Sequence, residues 1–369
     1  MSAKYRADQV GSLLRPQPLI DARLGYEQGR VSPEELRAIE DRCILDVLKL
    51  QRLTGIDVVS DGEFRRTTWG NGFLDKLTGL DDDSEGVVPG GRWQGGHAEL
   101  ASTTLPAKKM VVGKVGVDAP FTSDEVNFLK AHAHGPFKIT LPSPTMFLKL
   151  HVPGRSDSAY ADEDELLDAF VGIYVDEIDW LLEAGVPYIQ LDSLRYINLI
   201  TEFQKGGGDL RETRRTLERN IAADNRILTR AKKTGVTRGM HICRGNHRSS
   251  WFGEGSYESV AEALFSLAET DRFLLEYDDE RSGGFEPLRF IPKGKMVVLG
   301  LITSKTGQLE SVDLLRRRVD EAAKFMPLED LAISPQCGFA STHLGNLLSE
   351  DEEKRKLELV VEAARLIWG

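Results

Sequence analysis

Apolar residues in this chain fall into short, nearly continuous runs, separated by longer stretches in which they recur every three or four positions. Eight runs stand out: Ala7–Ser12, Ile56–Ser60, Phe137–Leu141, Val186–Asp192, Val236–Cys243, Phe273–Glu276, Met296–Leu301 and Leu331–Ser334. Continuous apolarity over a short run is what a parallel strand needs when both of its faces are covered. The stretches between carry helix start signals. Ser32-Pro33-Glu34-Glu35 combines an N-cap, a proline at the first helical position and a glutamate at N3. Asp162 and Glu165 repeat the cap ahead of Leu166-Leu167. Further helices are predicted over Arg211–Lys233, Tyr257–Thr270, Val312–Phe325 and Asp351–Ile367. Gly55, Gly185 and Gly235 each end a helical stretch just before a strand.

Strands alternating with helices predict an α/β fold, and eight of them predict a (β/α)8 TIM barrel, here a single barrel over residues 1–369. A doubly wound open sheet shares the alternation and is the competing architecture. One stretch breaks the rhythm. Residues 64–135 form an inserted excursion after the second strand, too long for a simple connection. It holds the acidic, glycine-rich Asp81–Gly96 and one helix near Ser123–Ala133, and reads as a hairpin or lid at the active-site end. Gly206-Gly207-Gly208 and Gly283-Gly284 mark two further loops.

Composition narrows the function classes. The 369 residues are 41% hydrophobic and 28% charged, with a net charge of −11. No basic block with interleaved aromatics occurs, which argues against nucleic acid. No apolar run reaches the length of a membrane span, and the first residues lack the apolar core of a signal peptide. Three cysteines, Cys43, Cys243 and Cys337, are too few for a disulfide framework and fit a reducing cytoplasm. Cys43 falls in a helical pattern with Ile39 and Val47 and reads as core.

The other two cysteines fall at strand ends. His241 and Cys243 close the fifth run two positions apart, so their side chains share a face. Glu276 closes the sixth run and Cys337 follows the eighth. One imidazole, two thiolates and a carboxylate make a ligand set suited to Zn²⁺. In a barrel, strand C-termini converge on one mouth. The competing reading is a buried cysteine pair beside a salt-bridged glutamate. A second cluster is anionic: Val10-Gly11-Ser12, Asp61-Gly62-Glu63 and Asp192 end the first, second and fourth runs. Such groups could hold an amino acid, acids on the ammonium and hydroxyl or N–H groups on the carboxylate. Ion pairing of Asp61 and Glu63 with Arg65 and Arg66 is the simpler alternative on these residues alone. Lys305, in Gly300-Leu-Ile-Thr-Ser-Lys-Thr306, is a candidate anion-binding group or proton donor. His247, near the metal motif, is a further residue of interest.

Six motifs, in order, resemble the cobalamin-independent methionine synthase family. They are Val10-Gly11-Ser12, Gly55-Ile-Asp-Val-Val-Ser-Asp-Gly-Glu63, Tyr188-Ile-Gln-Leu-Asp192, His241-Ile-Cys243-Arg-Gly-Asn, Leu275-Glu276 and Ser334-Pro-Gln-Cys337-Gly-Phe. The resemblance covers the chain and matches the catalytic barrel of the long enzymes, as in the short branch often labelled methionine synthase II. It implies a zinc-dependent S-methyltransferase that converts homocysteine to methionine. It implies His241, Cys243, Glu276 and Cys337 as zinc ligands, and Ser12, with Gly11 beside it, Glu63 and Asp192 as holders of the amino-acid end. The donor side departs from the family pattern. Ser193-Leu194-Arg195 replaces Glu-Pro-Ala after Asp192, Thr303 and Lys305 stand where an Asp-x-His pair is usual, and Lys149 follows Ser143-Pro144-Thr145 where a tryptophan is expected. The donor is therefore open among methyl-folate, a methylated corrinoid and a sulfonium. A zinc thiol-alkyltransferase or lyase resembling the epoxide–thiol transferases is the alternative enzyme, and a barrel with structural zinc the non-catalytic one. Self-association into a homo-oligomer is left open.

Overall fold

The structure is a computed structural model that describes residues 4–83, 93–102, 109–206, 209–232 and 234–369. An antiparallel pair comes first, β1 (Leu77–Asp82) with β2 (Lys109–Val117). Six strands then lie parallel in sequence order: β3 (Lys138–Pro142), β4 (Tyr188–Ser193), β5 (Thr237–Ile242), β6 (Arg272–Glu276), β7 (Met296–Ile302) and β8 (Leu331–Pro335). Every residue of these six is buried, as runs covered on both faces demand.

The first two apolar runs are not full strands. Each makes a single parallel bridge, Ala7 with Ile333 of β8 and Val59 with Phe137 just before β3. The reason is a side chain: Asp57 takes the N–H groups of Arg6 (2.6 Å) and Ala7 (2.9 Å), donors that a longer ladder would use. The two segments still link the outer strands of the sheet. Asp8 N–H donates to Ile333 O, Asp57 N–H to Ala7 O and Lys138 N–H to Val59 O, so hydrogen bonds run from β8 through both segments to β3. This is the strand order of an eight-stranded ring.

Helices fill the connections. Ser32 and Glu35 form the reciprocal capping box of helix Pro33–Thr54, and Asp162 accepts from Asp164 and Glu165 N–H at the start of Glu163–Glu183. Leu210–Leu228, Glu258–Leu267, Val312–Ala322 and Glu350–Trp368 fall within or close to the expected stretches. Gln17–Glu27 and Arg195–Lys205 were not anticipated. Within the excursion, Ser123–His132 is helical, and Gln94 bridges Trp251 in the loop after β5. Residues 84–92, from the glycine-rich stretch, and Gly207-Gly208 lie outside the described residues. Among the described residues no helix is long and apolar enough to cross a membrane.

The main apolar core, including Cys43, lies between strands and helices. Inside the ring is a small apolar group, Val10, Leu274, Met296, Val298 and Ala332. A polar floor sits at the N-terminal ends of the strands. Asp8 receives Lys138 Nζ at 2.7 Å and Arg272 at 3.0 Å, and the Tyr188 hydroxyl donates to it at 3.3 Å. Gln190 accepts from Lys138 and donates to Asp192 Oδ1 at 2.7 Å, which joins the floor to the strand C-termini.

Candidate metal centre

Strand alternation decides which side chains reach the interior. On β5, Met240 and Ile242 belong to the outer core, so His241 and Cys243 face inward. On β6, Phe273 and Leu275 pack outward, while Leu274 and Glu276 face in. Close approach of the last strands brings in Cys337. A Cβ on Gly300 of β7 would lie 2.7 Å from Gln336 Cα and 2.9 Å from Leu275 O, a gap only glycine tolerates. His241, Cys243, Glu276 and Cys337 are all buried, and their ligand atoms lie within 4.8 Å of one another.

The partners of these groups leave donor atoms free within the group. His241 Nδ1 is 3.2 Å from Leu274 O, and a carbonyl can only accept, so in the neutral ring the proton sits on Nδ1 and Nε2 keeps its lone pair for a cation. Nε2 faces the Cys337 sulfur without hydrogen-bond geometry to any group among the described residues. Glu276 Oε1 accepts from Arg244 N–H at 2.6 Å, whereas the buried Oε2 has no partner among them. The two sulfurs are 3.5 Å apart, and Gly245 N–H donates to Cys243 at 3.3 Å. Electrostatics agree. Burial and then the Cys337 charge push Glu276 up to about 7. His241 rises to about 9 against its burial, because Cys337 and two carboxylates favour its cation. The hydrogen bond from Cys243 holds Cys337 well below the ordinary thiol range and Cys243 above it. Four donors competing for protons in a dry site fit a single divalent cation of borderline softness such as zinc.

The anionic residues gather at the same end. Asp192 pairs in register with His241, and burial, with Glu63 nearby, raises its carboxyl to about 7 despite the His241 charge. Glu63 is held at a positive φ of 60° in a turn that Asp61 braces by accepting its N–H at 2.9 Å. Thr140 donates to Glu63 Oε1 at 2.7 Å, and the buried Oε2 has no partner among the described residues. Burial raises both acids, Asp61 to about 7. The structural ion pairs lie largely elsewhere: Arg66 clamps Glu125 through two 2.7 Å bonds and stays 3.5 Å from Glu63, while Arg65 pairs with Glu40 and Asp41. A Cβ on Gly11 would lie 2.7 Å from Thr140 Cγ2 and 3.2 Å from Glu63 Oε1, so the first segment passes directly against this acid. Ser12 touches the Cys337 loop: its carbonyl accepts from Phe339 N–H, and a Cβ on Gly338 would fall 2.0 Å from its Oγ.

Lys305 is buried, and its ammonium donates to Asn246 Oδ1 at 3.2 Å. Its charge reaches Glu276 and Cys337 and lowers both. Thr303 N–H donates to Glu310, and the Thr303 hydroxyl accepts from Lys305 N–H. His247 is not a ligand: Nδ1 lies 3.0 Å from Thr342 Oγ1, and its ring packs 5.6 Å from Trp93 of the excursion. Lys149 is exposed on the short helix Pro144–Leu150, and Ser143 donates to buried Asp224. Sequence reasoning missed Asn246, although it lies within the quoted His-Ile-Cys-Arg-Gly-Asn motif. It also missed Arg15, which donates to the carbonyls of Glu63 and Arg66 on one loop and of Ala340 and Thr342 on another. An arginine with only carbonyl partners leaves no charge pattern to find.

The family profile described as cobalamin-independent synthase, catalytic domain, matches residues 7–366. YxjH, an uncharacterized protein of Bacillus subtilis, is 38% identical over 99% of this chain and 95% of its own length. The crystal structure of a candidate vitamin-B12-independent methionine synthase from Listeria monocytogenes is similar at TM-score 0.75 and 29% identity, covering 100% of this chain and 99% of that one. A Shewanella B12-independent methionine synthase in complex with selenomethionine shares the fold at TM-score 0.72 and 22% identity, covering 99% and 98%.

Proposed function

This chain belongs to the cobalamin-independent synthase catalytic-domain family and is a methyltransferase, and on that premise we propose that it methylates the sulfur of homocysteine, with zinc held by His241, Cys243, Glu276 and Cys337. The observation that carries the reading is a buried group of four residues whose ligand atoms lie within 4.8 Å of one another, in which His241 Nε2 and Glu276 Oε2 have no partner among the described residues. Zinc bound there supplies positive charge that lowers the pKa of an incoming thiol.

The remaining roles fall to the protein. Glu63 Oε2 and the Asp192 carboxylate receive the ammonium of the amino acid. The Ser12 hydroxyl, with Gly11 keeping the backbone close to Glu63, receives its carboxylate. This fixes the thiol end toward the cysteines and makes the encounter effectively unimolecular. The sulfur–methyl bond forms as the donor's bond to methyl breaks and the bonding pair leaves with the donor; with a methyl-folate donor Lys305 gives the departing nitrogen a proton, whereas a sulfonium departs as a neutral thioether and takes none. Burial of the whole set excludes water as a competing nucleophile. The setting is the reducing cytoplasm, where thiols persist.

A donor screen tests this. Zinc-loaded protein is incubated with homocysteine and, in turn, mono- and polyglutamyl methyl-folate, methylcobalamin or S-methylmethionine, and methionine is measured by mass. Methionine from one donor supports the reading and identifies the donor. No methionine from any of them overturns the homocysteine reading, and a panel of simple mercaptans with epoxides then tests thiol alkylation.

A further inference from the structure

Asn246 is 4% exposed and sits where three loops meet. It follows Cys243 on the loop after β5. Its Nδ2 donates to Gly338 O (2.6 Å) and Ser341 Oγ (3.3 Å), on the loop that carries Cys337. Its Oδ1 accepts from Lys305 Nζ (3.2 Å), on the loop after β7, and from Asn346 Nδ2 (2.9 Å). Asn346 in turn donates to Ser304 O at 2.7 Å and accepts from Ser249 N–H at 2.9 Å. The amide cannot be turned over, because its NH2 would then face an ammonium and its oxygen a carbonyl.

That orientation matters for a lysine. Its stem has four rotatable bonds, and carboxylates lie within reach of its charge, Glu276 and Asp278 among them. An ion pair with either would turn the ammonium away from an incoming donor and bind its proton more tightly. The neutral Asn246 oxygen holds Nζ without neutralising it. We propose that Asn246 is a positioning residue for methyl transfer: its amide aims the Lys305 ammonium at the reacting end of the site and ties that loop to the two loops carrying the cysteines. The inference rests on the reading of Lys305 as proton donor.

A double-mutant cycle tests it, with Asn246→Ala, Lys305→Ala and the pair, each zinc-loaded and checked for zinc content and melting temperature. Lys305→Ala is expected to lower kcat by about 10²-fold or more, the range of a lost general acid. Asn246→Ala is expected to lower kcat about tenfold with KM for homocysteine unchanged, and the double variant to be no slower than Lys305→Ala. A second readout needs no turnover. In chelator competition, removing a cation near the metal makes zinc harder to extract, so Lys305→Ala holds zinc more tightly, and any shift in Asn246→Ala disappears once Lys305 is removed as well. If Asn246→Ala misfolds, Asn246→Asp replaces it: the new carboxylate captures the ammonium, slowing kcat only while Lys305 is present. An unchanged kcat in Lys305→Ala overturns the proton-donor reading itself. A slow Lys305→Ala with multiplying effects, an unaffected Asn246 variant or a zinc loss in Asn246→Ala that persists without Lys305 overturns the positioning role alone.

Discussion

Two groups of buried polar side chains stand one above the other inside the same ring of strands, and they meet the cost of burial in opposite ways. The floor mixes signs. Both oxygens of Asp8 are taken by buried donors, Lys138 on one and Arg272 with Tyr188 on the other. The upper group collects donors of one kind, two sulfurs, a carboxylate and an imidazole, and leaves Nε2 and Oε2 without partners among the described residues. A buried charge pair that closes on itself asks nothing of the solution. A group of unpartnered donor atoms suits an outside cation, and the proposed function accordingly assigns the second to the chemistry and the first to the scaffold.

Breaking the floor gives the largest expected effect. Asp8→Asn leaves two fully buried cations uncompensated, a loss of about 3–5 kcal/mol. Thermal or urea unfolding should show it, while the folded fraction keeps its zinc by elemental analysis. A variant as stable as the parent would mean that the floor is not held by charge pairing. Breaking the upper group reverses the pattern. Cys337→Ser should weaken zinc by about 100-fold or more, at least the effect of losing an outer partner of a ligand, and abolish methionine formation, with the protein still folded in the same unfolding assay. Full zinc content in that variant would sink the proposed ligand set. The smallest effect sharpens the comparison with an acid from neither group. Glu353 accepts Leu14 N–H at 2.9 Å, and burial raises its carboxyl to about 8, above its ordinary 4.5. A raised folded value means that the stability this proton contributes is present at low pH and lost as pH climbs through about 8. Glu353→Gln should therefore match the parent near pH 5 and melt a few degrees higher near pH 8, by calorimetry at both values. An equal gap at both pH values would contradict it.

The sequence exposed the upper group far better than the floor. His241, Cys243, Glu276 and Cys337 each follow or close an apolar run, so residue type and position point the same way. The floor is assembled from single inward positions, Asp8, Lys138 and Arg272 at or beside the start of a run and Gln190 within one, where apolar neighbours mask them. The six parallel strands were legible because burial on both faces leaves an unbroken apolar stretch. The first two were overread, because apolarity does not reveal that the Asp57 carboxylate captures the N–H groups of Arg6 and Ala7. Asn246 was invisible for a different reason: a neutral amide acquires its role only from the three loops around it.

The bond from Leu14 N–H to Glu353, with the bridge from Ala7 to Ile333, bears on how the protein is made. During synthesis the segment carrying Gly11 and Ser12 leaves the ribosome long before Ile333 and Glu353, two of the partners that fix it. Vectorial synthesis therefore cannot finish this mouth piece by piece. The stretch has early partners in Asp57 and Gly62, but its ties to Ile333 and Glu353 wait for more than three hundred further residues, so the proposed amino-acid and metal sites are completed together, as one late closing event.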